Sequence, residues 1–155
     1  MSTPADNEFV ARTDRIIEIL RKDTGLQGPY QNVGEELLVY KGVRRLDTGR
    51  NSIWVHRRGT DQWGYWQGIE GADVVATWEL TCICRHVGEP DELEDAVALL
   101  SVRVVRAIIN GHKIDPLWDT AQVMPSQATT VRTEENQFYE IETIPVQLSW
   151  PVVIV

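Results

Sequence analysis

The chain has 155 residues and a net charge of −8, with 43% hydrophobic and 25% charged residues. That length fits one domain able to bury roughly 70% of the surface its unfolded form exposes, so neither a disulfide nor a metal is needed as a staple. The acid excess excludes a DNA-coating protein, which needs clustered Lys and Arg; without a signal-peptide pattern or anything near the ~20 apolar residues of a membrane span, the expected setting is a cytoplasm with no membrane partner.

The first four residues read as a loose end. From about Ala5 to Lys22 the residues Phe9, Val10, Thr13, Ile16, Ile17 and Leu20 fall on one helical stripe, with Asp6 and Glu8 near its start and Arg21 and Lys22 near its end, as the helix dipole favours. Gly25 and then Gly28-Pro29 terminate it. Glu36 to Lys41 and Ile53 to Arg57 read as short strands joined by a polar, basic, hairpin-like loop. The connection from Gly59 to Gly71 reads as a long loop rich in glycine that also carries Trp63, Tyr65 and Trp66. Three large aromatics there require a surface to bury against.

Val74 to His86 alternates cleanly: Val74, Ala76, Trp78, Leu80, Cys82 and Cys84 share the core face, and Val75, Thr77, Glu79, Thr81, Ile83 and Arg85 share a face that is solvated or covered by a polar partner. Cys82 and Cys84 lie on one side roughly 6.8 Å apart along the strand, a geometry a disulfide would strain, so buried free thiols are expected. Gly88-Glu89-Pro90-Asp91 announces a second helix whose acidic first turn suits the dipole and which Asn110-Gly111 closes. Leu93, Val97, Leu100, Val104 and Ile108 form its core stripe, yet Leu99, Val102, Val105 and Ile109 add apolar surface elsewhere. A helix apolar most of the way round is buried most of the way round, which a neighbouring subunit can provide. Leu117 to Met124 and Ala128 to Arg132 are strand material, and Phe138 to Trp150 is a strand in which Ile141, out of phase with Ile144, Val146, Leu148 and Trp150, implies a bulge and Pro145 an edge or that same bulge. The order of elements predicts an α+β domain, an N-terminal helix and a second long helix packed on a mainly antiparallel sheet.

Little in the pattern carries chemistry. His56, His86 and His112 stand at no metal or triad spacing, and no nucleophile elbow, phosphate loop or dinucleotide fingerprint occurs, so no catalytic residue, metal or cofactor is expected. Between Lys41 and Arg58 six bases, including Arg44, Arg45, Arg50, Arg57 and Arg58, face one acid, Asp47. Such a contrast is either a solvated face or a docking surface for an acidic neighbour. Trp63, Tyr65 and Trp66 beside Arg58, Asp61 and Gln62 admit two readings: a subunit interface, since Trp, Tyr and Arg dominate interface hot spots, or the aromatic platform of a carbohydrate-binding or adhesion module.

Taken together, the chain resembles the tail-terminator (tail-completion) proteins of long-tailed bacteriophages. The likeness rests on the order of the helix bearing Ile16-Ile17-Glu18-Ile19-Leu20, the strand Trp78 to Cys84, the acidic-start helix Asp91 to Ile109 and the terminal strand Tyr139 to Leu148. It implies a structural virion protein without catalytic residues, made in the host cytoplasm and located at the head-proximal end of the tail. There a homohexameric ring would cap the tail tube protein, end its polymerisation and meet a head-tail connector or neck protein, with a sheath protein as a further neighbour and DNA only passing through the channel. Trp63, Tyr65, Trp66, Leu99, Val102, Val105 and Ile109 are then expected between ring neighbours.

Overall fold

The computed structural model describes residues 4–26, 38–44, 51–66, 70–86, 90–132 and 138–153. Helix α1 (Pro4–Lys22) is followed by β1 (Leu38–Lys41), β2 (Ser52–Tyr65), β3 (Gly71–His86), helix α2 (Pro90–His112), β4 (Thr120–Val123), β5 (Gln127–Arg132) and β6 (Phe138–Val153). The strands form one six-stranded sheet in the order β1-β2-β3-β6-β4, with β5 pairing the other half of β6. Both helices pack on the same face, where the even-numbered residues Val74 to Cys84 of β3 and Ile144 to Val152 of β6 are buried against Ile16, Leu20, Val97, Leu100, Val104 and Ile108. The α+β class and the inward faces of α2 and β3 follow the sequence pattern.

Several expectations are corrected. The segment from Gly59 onward is not a loop: β2 continues to Tyr65, paired with β3 as far as Tyr65 opposite Ala72, with register shifts at Arg57/Gly59 and Thr60/Gln62. Gly59, which reads as a loop signal, instead flanks a bulge, which absorbs an extra residue and lets the strand go on. The basic stretch is not a hairpin either, because β1 and β2 run parallel, Leu38 beside Ser52 and Lys41 beside Val55. Arg45 and Arg50 lie outside the described residues.

No bulge interrupts β6 against β3, whose sixteen residues pair one to one from Gly71 with Val153 to His86 with Phe138. Ile141 is out of phase because it belongs to the other face, where it is buried with Trp54, Ile83 and Tyr139 in a separate cluster flanked by Tyr40 and Val131. The second face of β3 is thus partly core. Pro145 is in a central strand, at the point where β4 and β5 part. Its carbonyl accepts from Met124 N at 2.9 Å, so its nitrogen points to that same side and no ladder donor toward β3 is lost. On α1, Val10 is 49% exposed rather than core. Asn110 leaves the helical region and Gly111 follows at φ +90°, the left-handed cap that glycine accommodates without strain.

Candidate assembly surface

Among the described residues two apolar patches lie open on the helix-bearing face, one concave and one convex. The concave one is a groove of about 500 Å³ between α2 and the junction of β4, β5 and β6, whose walls include Val102, Val105, Ile109, Val123, Met124 and Ile144. Val102 is 50% exposed and Leu99, on the same helix, 51% exposed; Val105 and Ile109 are half-buried. The expected extra apolar side of α2 therefore exists, and the domain's own sheet covers only part of it. Arg106 and Glu142 supply opposite charges in the groove, and Ser101 a hydroxyl. Sequence periodicity marked Val102, Val105 and Ile109; Val123, Met124 and Glu142 carried no such mark, because they reach the groove only through the pairing of β4 and β6.

The convex patch is the far end of β2. Trp63 and Tyr65 stack with ring centroids 6.4 Å apart and planes 16° from parallel, and they are 41% and 71% exposed. Trp63 also meets Phe9 of α1 edge to face at 6.1 Å, which fixes its orientation. Trp66 differs from its two neighbours. It is half-buried, its backbone N–H donates to the Gly71 carbonyl at 3.0 Å, and its ring lies so close to Gly71 that a Cβ there would come within 2.3 Å. Among the three aromatics, Trp63 and Tyr65 present surface while Trp66 closes the hairpin.

The described bases divide similarly. Arg44 and Arg58 are exposed, Arg58 lying 3.8 Å from Asp61. Arg57 is partly engaged: its guanidinium sits 4.4 Å over the Phe9 ring, and it donates to Thr60 Oγ1 at 3.3 Å. No composition signal indicated that stacking, which arises only where β2 passes the start of α1.

Among the described residues there is no group of three or more His, Cys, Asp or Glu able to hold a metal ion, and no helix long and apolar enough to cross a membrane. Cys82 and Cys84 are buried; burial raises both thiols, that of Cys84 to about 12. Thiols held protonated in this way are poor nucleophiles. His112 Nδ1 lies 3.3 Å from Asp115, which Arg15 also contacts at 3.0 Å, an arrangement that ties the end of α2 to α1.

Fold and site together define a two-layer α+β domain with an apolar groove and an exposed, stacked aromatic pair. No family model and no curated protein matches the chain. Among solved structures it is similar to a chain of the virion of a native gene transfer agent particle, at 15% sequence identity over 87% of this chain and 92% of that one, with a TM-score of 0.45.

Proposed function

We propose that the protein is a structural virion component that self-associates into a ring, caps the tail tube at its head-proximal end, ends tube polymerisation and helps join tail to head. The observation that carries the self-association is the pair of open apolar patches, the α2 groove and the Trp63–Tyr65 stack, on one small domain. Exposed patches of this kind mark interaction sites. The place in the virion rests on the tail-terminator resemblance in the order of elements, and six copies is the count that resemblance implies. Tail tube, connector or neck, and sheath proteins are the neighbours it supplies. The acidic body suits a channel that lets DNA pass without gripping it.

The test is the mass of the purified protein in solution together with negative-stain imaging. A closed ring that binds the ends of tail tubes is the expected result. A monomer retained on immobilised polysaccharide overturns the proposal and favours the carbohydrate-binding reading of Trp63 and Tyr65.

A further inference from the structure

The outer side of α2 carries a pattern of its own. Asp95, Leu99, Val102 and Arg106 recur at spacings of four, three and four, which at 3.6 residues per turn makes one straight stripe along the helix, opposite the buried Val97, Leu100, Val104 and Ile108. Leu99 and Val102, in the middle of the stripe, have half of their surface in water. Asp95 and Arg106, at its two ends, are exposed. Neither charge has an ion-pair partner among the described residues.

A stripe in this order is complementary to its own reverse. When a second copy lays its α2 antiparallel on the first, with a two-fold axis passing midway between Leu99 and Val102, Asp95 of each copy faces Arg106 of the other and Leu99 of each faces Val102 of the other. The four-three-four spacing is that of a seam along which two helices pack side by side. Two ion pairs then flank an apolar centre that takes Leu99 and Val102 out of water. The antiparallel direction also sets the two helix dipoles against each other favourably. A parallel pairing would put Asp95 on Asp95 and Arg106 on Arg106, and such like-charge contacts disfavour it.

We infer that the outer side of α2 docks on a second copy of itself: two chains pair antiparallel about a two-fold axis through Asp95, Leu99, Val102 and Arg106. The contact is isologous, the same patch on both sides, so it makes a closed pair and does not by itself propagate round a ring. About three turns of one helix bury less than a standard interface, and the pair is accordingly weak and reversible. Val102 and Arg106 also line the groove between α2 and the sheet, and a copy seated on α2 stands over them. The pair therefore competes with any ring contact made through the groove, and it holds free subunits in twos until the groove contacts replace it. That competition rests on the ring proposed above; the pair itself does not.

Charge reversal tests the pair, because two variants that each fail alone should rescue one another. Asp95→Arg opposes like charges at both ends of the contact, and so does Arg106→Asp; each alone should weaken pairing about tenfold or more in sedimentation velocity. Both positions lie outside the core, so circular dichroism should stay native. Mixing the two variants brings each reversed charge opposite its complement, and one-to-one mixed pairs of wild-type strength should return, identified by their mass in native mass spectrometry. Single variants that pair like wild type, or a mixture that stays unpaired, overturn the inference. A wild type that passes from monomer to ring with no two-copy species overturns it as well and leaves the ring proposal standing. Rescued pairs in a protein that forms no ring at any concentration support the inference and sink the ring.

Discussion

Thr13 shows how one hydroxyl organises the interior. It donates to the Phe9 carbonyl at 2.9 Å and accepts from Trp78 Nε1 at 2.8 Å, so the only polar atom of a fully buried indole is satisfied. Thr13→Val keeps the shape and leaves that N–H without a partner, at a cost of about 1–3 kcal/mol. Urea unfolding followed by tryptophan fluorescence measures the loss, and a midpoint unchanged from wild type would show that the bond contributes nothing. Asp115 works at the same scale. Burial alone would raise its carboxyl, but hydrogen bonds from Arg15, Leu117 N and His112, with the charge of Arg15, outweigh burial and hold it below the usual carboxylate range. A carboxyl lowered on folding stabilises the protein above its unfolded value of about 3.9, and that contribution is lost as pH falls through the folded value. Asp115→Asn should therefore be less stable than wild type at neutral pH, with the two urea midpoints converging on acidification. Parallel curves would assign the lost stability to something other than this titration.

Among the elements, α2 separates folding from assembly. Val97, Leu100, Val104 and Ile108 are buried, and replacing them opens the core, whereas Val102 faces the groove with half its surface in water. Val102→Asp is therefore expected to move the thermal midpoint little, within the ±0.5 kcal/mol usual for surface changes, and to abolish ring formation by desolvating a carboxylate in an apolar contact. Sedimentation and thermal unfolding of the same sample read the two effects apart. A ring of wild-type stability would remove this helix from the interface. At the hairpin between β2 and β3 the limit is steric, because Gly71 has no room for a Cβ beneath Trp66. Gly71→Ala should cost about 1–3 kcal/mol by overpacking, measured as a shift of the urea midpoint.

For the whole molecule the dominant feature is an acidic body with one basic region. Duplex DNA should bind weakly at physiological salt, since counterion release needs more bases than this region holds. The same region is proposed to orient a virion neighbour or subunit, each exposed pair contributing about 0–1 kcal/mol. Reversing Arg44, Arg45 and Arg50 together to Glu should leave circular dichroism unchanged and slow attachment to tails or heads, with the wild-type interaction weakening as salt rises. Normal attachment by the triple variant at all salt concentrations would mark the region as a solvated face.

What the sequence by itself determined is local. The inward stripe of α2, the alternation of β3, the cap at Asn110-Gly111 and the surplus of apolar residues at Leu99, Val102, Val105 and Ile109 repeat at the period of one helix or one strand, so neighbours along the chain suffice to display them. Which strand lies beside which, and in what direction, was decided only by tertiary structure. Gly59 reads as a loop until β3 is seen to pair across it, Ile141 reads as out of phase until the second cluster with Trp54 and Ile83 appears, and Pro145 reads as an edge until β4 and β5 are seen to part at its nitrogen. The groove belongs to the same class. Its walls come from α2, β4 and β6, and a surface assembled from distant segments leaves no periodic trace in any one of them, because each residue's exposure is set by partners that local pattern does not contain.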